Sequence, residues 1–99
     1  MNFAGFDWDS GNRKKCQKHG VSIAEIESLF DRPVVILPDK DNSQGELRFR
    51  AIGTTSKKRN VFMVFTKRDR GSGVLIRPIS ARFMHQAEVE SYEKNYPDV

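Results

Sequence analysis

Three arginines, Arg68, Arg77 and Arg82, are the residues whose type and spacing most invite chemistry. A guanidinium is planar, stays charged, and carries paired N–H donors that match the oxygens of a phosphate. Arg68 closes an apolar run, while Arg77 and Arg82 bracket the stretch Arg77-Pro78-Ile79-Ser80-Ala81-Arg82. Residues 74–79 read as a strand. Residues 83–95 lack Gly and Pro and favour a helix, which places Ser80 at its N-cap and Arg82 in its first turn. A helix start offers unpaired N–H groups and the positive end of the dipole, so it suits an anion. The expectation is one phosphate held by Arg68, Arg82 and that helix start, with Arg77 as a third contact. The plain alternative is that each arginine only solvates a sheet edge.

His85 and His19 are the side chains that ordinarily titrate near neutrality, and so the first candidates for proton transfer. His85 falls one turn into the last helix, near Arg82. It also shares a helical stripe with Val89, Tyr92 and Tyr96, which would simply pack it. His19 precedes Gly20 at a helix end, where a cation suits the dipole without further function. Trp8 and Tyr92 could stack on unpaired bases, and Lys67 and Arg70, with Lys57, Lys58 and Arg59, could touch a nucleic-acid backbone. Metal chemistry is disfavoured: the basic block has one carboxylate, and the histidines are not at ligand spacing. No cofactor motif occurs, since Gly71-Ser72-Gly73 lacks the Lys-Ser/Thr of a phosphate loop. Cys16, beside Lys14, Lys15 and Lys18, could carry a lowered pKa, but without an assignable histidine partner it reads as structural.

These residues need a scaffold, and the chain of 99 residues is expected to form a single domain, 1–99, with one modest core. Apolar residues make up 37% and charged residues 30%, with a mean hydropathy of −0.61, which fits a folded, soluble chain rather than a disordered one. One cysteine excludes an internal disulfide. The start has no secretory pattern and no apolar run could span a membrane, so the cytoplasm is the expected compartment. The net charge of +4 is unevenly placed: residues 51–82 hold eight Lys/Arg against Asp69 alone, while residues 83–99 carry a net −3. The basic block reads as a footprint for a polyanion.

Hydrophobic periodicity supplies the elements. Phe3, Phe6 and Trp8 suit an edge strand; Asp9 or Ser10 can cap a helix running through Lys18, with Gly20 to end it. Ser22 and Glu25 have capping-box spacing before a second helix closed near Pro33. Residues 34–37, 47–52 and 61–66 read as strands, the last apolar on both faces and therefore central, with a polar loop over 39–46 and a basic turn over 56–60. The expected fold is α+β: a twisted antiparallel sheet of about four strands, two N-terminal helices and one C-terminal helix, with Arg and Lys projecting from the exposed sheet face.

In this order the motifs resemble the BrnT family, ribonuclease toxins of type II toxin–antitoxin pairs with a RelE-like fold. The likeness runs through Phe6-Asp7-Trp8-Asp9, Lys18-His19-Gly20-Val21, Gly45-Glu46 with Arg48-Phe49, Ile52-Gly53 and Phe65-Thr66-Lys67-Arg68. It ends in Arg77-Pro78-Ile79-Ser80-Ala81-Arg82, followed by Met84, Glu88, Tyr92 and Glu93. The resemblance implies metal-independent RNA cleavage, restrained by a ribbon-helix-helix antitoxin through which alone operator DNA is bound, with a heterotetramer among the assemblies to be considered. It carries active roles to Arg68 and Arg82. Lys67 stands where many members have an acid, and Cys16 where an asparagine is common, so no proton-transfer role transfers to position 67. The residues therefore support an endoribonuclease in which the RNA 2′-hydroxyl attacks its own phosphate, with His85 as proton donor. The alternative is a non-catalytic module that binds nucleic acid or protein, favoured by the lack of a compelling general base.

Overall fold

Val61, Met63 and Phe65 alternate along one strand and are all completely buried, so they define the face on which the core is built. In a computed structural model that describes residues 3–39 and 47–96, that strand is β4 (Asn60–Asp69). Before it come β1 (Gly5–Phe6), α1 (Ser10–Gln17), α2 (Ile23–Ser28) with a 3-10 turn over Leu29–Asp31, β2 (Val35–Pro38) and β3 (Phe49–Thr54). After it come β5 (Val74–Phe83) and α3 (Gln86–Asn95). The expected polar loop over 39–46 falls mostly outside the described residues.

Among the described residues the sheet has five strands in the order β1-β5-β4-β3-β2, with β4 at its centre as its two-sided apolar pattern requires. Strands β2 to β5 form an antiparallel meander, but β1 joins β5 in parallel. The sheet is thus mixed and five-stranded, not a four-stranded antiparallel one. The reason lies in the short edge: β1 is two residues long, and Trp8 has already left the strand to bond α2 through Nε1 to Glu27 Oε2 at 3.0 Å. At Gly73, any Cβ would lie 2.6 Å from the Ala4 Cβ, so glycine lets β1 close against the β4–β5 turn.

Helices α1 and α2, the link between them and the 3-10 turn cover the core face with Cys16, Ile26, Val21 and Leu29, all fully buried. Asp9 caps α1 by accepting from the Asn12 N–H at 2.9 Å, and Ser22 caps α2 through Glu25 N at 3.1 Å. Gly20, at φ +91, turns the chain between them in the left-handed region. Phe30 and Phe65 stand edge-on with centroids 5.5 Å apart, and Phe3, Phe6 and Phe49 pack on the same cluster. Cys16 lies in this layer, and burial pushes its thiol up to about 11, outweighing the nearby Lys15 and Arg77. It is a packing residue, not a reactive one.

The last strand departs most from expectation. Instead of ending at Ile79 it runs to Phe83, so Ser80 and Arg82 are strand residues and neither caps nor opens the helix. Val61, Met63 and Val64 in β4 need partners, and Phe83, Ala81 and Ser80 supply them in register. Satisfying that ladder and burying Ala81 override the helical preference of residues near 83. Between Val64 and Phe65 the register shifts: Val64 faces Ser80 and Phe65 faces Pro78, leaving Ile79 as an extra residue. Pro78 has no N–H to give the ladder, which is where a bulge is expected. Its carbonyl, beyond the end of β1, accepts from Asn12 Nδ2 at 3.1 Å.

A buried carboxylate ties α2 to the β3–β4 hairpin. Glu25 is fully inaccessible and accepts from Thr55 Oγ1 at 3.0 Å and from Arg59 Nε at 3.0 Å, with a second short contact to Arg59 Nη2. Arg59 in turn lies over the Phe83 ring at 4.3 Å. The guanidinium first, and the Thr55 hydroxyl after it, hold the Glu25 carboxyl below its ordinary 4.5. Breaking one side of such a pair strands a buried charge, whereas replacing both with apolar groups is often neutral. Arg59→Met alone is therefore expected to unfold at lower urea than wild type, and Glu25→Leu/Arg59→Met to recover most of the loss. A double variant less stable than the single one would refute this account. In the wild type the carboxylate's contribution is full above about pH 4.5 and is lost as pH falls toward the depressed folded value.

Candidate functional site

The bulge at Ile79 decides which face the arginines share. In a regular strand Arg77 and Arg82, five positions apart, would point to opposite faces. One extra residue between them brings both to the face opposite the core, where their partners Thr66 and Phe62 also lie. On β4, Arg68 follows Phe62, Val64 and Thr66 on that face by simple alternation, and on β3 so does Arg50, partner of Val64. The expectation of an arginine-bearing sheet face opposite the first two helices agrees with this geometry.

The arginines do not converge on one point. Arg82 is level with Phe62, and Arg68 stands six residues further along β4, about 20 Å away at the usual rise of a strand. Arg82 is held against Glu88 and Phe62 and Arg68 lies by the Lys67 carbonyl, so the two guanidiniums do not meet at one point in this structure. Arg68 and Arg77 are neighbours instead, since Arg77 pairs with Thr66 and Arg68 with Leu75. The face therefore has two stations, one at Arg82 and one around Arg68, Arg70 and Arg77.

At the Arg82 station the guanidinium is held bidentately by Glu88, with Nη1–Oε1 at 2.7 Å and Nη2–Oε2 at 2.9 Å, and stacks 4.7 Å above the Phe62 ring. Glu88 Oε1 also accepts the His85 backbone N–H at 2.9 Å, so one carboxylate joins Arg82 to the start of α3. His85 is the N-cap residue of α3, exposed, rather than a residue one turn inside it. The Glu88 carboxylate occupies the place at the helix start that an external anion was expected to take. Nη1 also donates to the Phe83 carbonyl at 3.4 Å. Among the described residues no acceptor meets the Arg82 Nε–H or its second Nη2–H, and these two form the side-on fork of a guanidinium.

At the second station Arg77 Nη2 donates to Asp9 Oδ2 at 2.7 Å, and its Nη1 lies 3.5 Å from Asp7 Oδ2. Arg70 Nη2 donates to the same Asp7 oxygen at 2.9 Å. The capping Asn12 N–H, and then Arg77, hold the Asp9 carboxyl below its ordinary range. Arg68 Nη1 approaches the Lys67 carbonyl at 3.4 Å. Two expected contacts lie elsewhere. Lys67 points to the core face, 4.5 Å over the Phe49 ring, because it is odd-numbered on β4 where Arg68 is even. Trp8 is bonded to Glu27 of α2 with Arg13 5.8 Å from its ring, on the helical side of the sheet. Tyr92 is buried under α3, 6.1 Å from the Tyr96 ring, which fits the packed stripe.

Glu88 and Arg50 carry no role in the sequence reading. Glu88 had a signal: it stands three residues after His85, the spacing of a capping-box acid, but only once His85 replaces Ser80 as the cap. Arg50 lines the space between α3 and the sheet, and nothing local marks it out. Among the described residues no three His, Cys, Asp or Glu side chains gather as a metal ion would need, and no helix is long and apolar enough to cross a membrane.

An α+β chain whose mixed sheet buries one face under two helices and sets guanidinium groups along the other is the class of protein defined here. The family model described as "Ribonuclease toxin, BrnT, of type II toxin-antitoxin system" matches residues 8–88, and the chain belongs to that family. The match covers every arginine of the open face, and membership implies an antitoxin partner. No curated protein matches the chain.

Arg82, ahead of the His85 N–H, lowers the Glu88 carboxyl to about 2. Carbon-detected NMR titration is expected to place its midpoint near that value in the wild type and to return it toward 4.5 in Arg82→Ala. Any stability from the pair is full above about pH 4.5 and fades as pH falls toward 2. A wild-type midpoint near 4.5 would mean the pair does not form in solution.

Proposed function

We propose that the chain is a metal-independent endoribonuclease whose reacting phosphate is held by Arg82. One observation carries this reading: Glu88, which also accepts the backbone N–H of the exposed His85, fixes the Arg82 guanidinium end-on while the side-on fork meets no acceptor among the described residues. A fixed donor pair with no internal acceptor is pre-organised for phosphoryl oxygens and needs no rearrangement as charge builds in the transition state. In the reaction the RNA 2′-oxygen forms a bond to the adjacent phosphorus as the 5′-oxygen bond breaks, leaving a 2′,3′-cyclic phosphate and a free 5′-hydroxyl. The 2′-hydroxyl gives its proton to solvent, and the His85 imidazolium supplies one to the departing oxygen. Glu88, with its pKa near 2, is a poor base and serves to position Arg82.

Arg68, Arg70 and Arg77 then hold the same RNA strand at a second phosphate, further along the face. The carboxylates of Asp7 and Asp9 moderate that station, so its part is docking rather than charge stabilisation at the reacting centre. A ribbon-helix-helix antitoxin would restrain the enzyme by covering this face with acidic or apolar segments, and would itself carry any contact with operator DNA.

Cleavage of labelled single-stranded RNA in chelator tests the reading. Arg82→Ala is expected to lose about 100-fold or more in rate, the usual effect of deleting a charge-stabilising donor. His85→Ala should slow cleavage while leaving RNA binding unchanged. Arg68→Ala should weaken RNA binding evenly across sequences and reduce the salt slope by about one. Wild type and Arg82→Ala cleaving alike, or neither cleaving while both bind RNA, would leave a non-catalytic binding module instead.

A further inference from the structure

An open groove of about 450 Å³ runs between α3 and the arginine face, and the phosphate reading leaves it unused. Its sheet side is Ile52 and Phe62, its helix side is Ala87 and Tyr92 of α3, and Met84 and Arg50 complete the lining. The volume is that of a small-molecule site, and the lining is mainly apolar and aromatic with a few polar groups, as such sites are. Register places it beside Arg82: Ile52, Phe62 and Arg82 form one row across β3, β4 and β5. Phe62 lies on the groove and beneath the Arg82 guanidinium, and Glu88 lines the groove while holding that same guanidinium.

The groove's own lining holds a second cation, Arg50. Arg50 belongs to the next row, level with Val64, which sets the Cα atoms of Arg50 and Arg82 about 12 Å apart by strand spacing and rise. Asp39 lies 3.3 Å from Arg50 Nε, yet that N–H is buried without a hydrogen bond among the described residues. The ion pair neutralises Arg50 without using its planar donors fully. Aromatic floor, apolar wall, Arg50 in the lining and Arg82 beside it on Phe62 and Glu88 form a set of chemistries that matches a nucleotide: ring in the groove, phosphate at Arg82, polar ring edge or next phosphate at Arg50. An apolar peptide would use the rings but would bring no acceptor to the side-on fork of Arg82.

We propose that this groove is a base subsite, which takes one unpaired nucleobase flanking the phosphate held by Arg82. The proposal rests on the reading of Arg82 as a phosphate contact. The base lies along Phe62 under the shelter of α3, so the enzyme selects unpaired RNA by shape and by stacking, as single-strand binders do. Glu88 is compatible with this because Arg82 neutralises it at the groove's rim.

The test uses the whole chain and two small probes, adenosine 5′-monophosphate and ribose 5-phosphate, followed by NMR. Both probes are expected to shift the Arg82 Nε–H resonance. Only the nucleotide should move the methyl resonances of Ile52, Met84 and Ala87, through the ring current of its base. Ser91, exposed on α3 at the groove, offers a plug: Ser91→Trp should remove the methyl response and weaken nucleotide binding about tenfold, the order of one lost stack. The Arg82 Nε–H response to ribose 5-phosphate should persist in this variant, which also reports that the fold is intact. Identical patterns from the two probes, or still methyls with the nucleotide, would overturn the subsite, as would a plug that changes nothing. Methyl shifts without any RNA cleavage would keep the subsite and reject the nuclease; cleavage without methyl shifts would do the reverse.

Discussion

A single extra residue in β5 governs the arrangement of the arginine face. Pro78 cannot donate to the ladder, Ile79 is left unpaired, and the strand resumes with its alternation reversed. Without that shift Arg77 and Arg82 would point to opposite sides, and Arg82 would be driven toward the core layer with Ala81 turned outward. The bulge lets Ala81 fill the core beside Met63 while Arg82 reaches Phe62 and Glu88 on the other side. Core packing and site geometry depend on the same backbone irregularity.

Acidic residues from distant parts of the chain then set what each arginine can do. Asp7 and Asp9 come from the β1–α1 junction to Arg70 and Arg77, and Glu88 comes from α3 to Arg82. Holding a guanidinium by a carboxylate reduces its net charge but also removes its rotamer freedom, and the balance depends on which donors are left. At Arg82 the remaining fork is whole; at Arg77 two carboxylates share the same guanidinium. The concentrated positive charge of residues 51–82 is thereby much reduced on the folded surface, and what remains is directional rather than diffuse.

The two faces of the sheet divide the work. Aromatic rings and two short helices close one side, reinforced by the buried Glu25 that Arg59 and Thr55 keep satisfied. Among the described residues the other side carries only α3, joined through Glu88 and the buried Tyr92, with an open groove beneath it. So small a chain has one core to spend on stability, and leaving the second face thinly covered is what makes room for a ligand.

Much of this was legible in the residues alone. Alternation in 61–66 identified the central strand, Ser22 with Glu25 located a helix start, Asp9 was one of two named caps, and the motif order pointed to the family that residues 8–88 match. Local periodicity and capping chemistry act over a few positions, so they can be read in one dimension. The extent of β5 could not be, because residues 80–83 are helix-tolerant by themselves and become strand only when β4 supplies a partner. Nor could the separation of Arg68 from Arg82, the turning of Lys67 and Trp8 to the helical side, or the pairing of Arg82 with Glu88. Those follow from register, where one residue's shift exchanges the faces of a strand, and register is set by contacts between segments rather than within them.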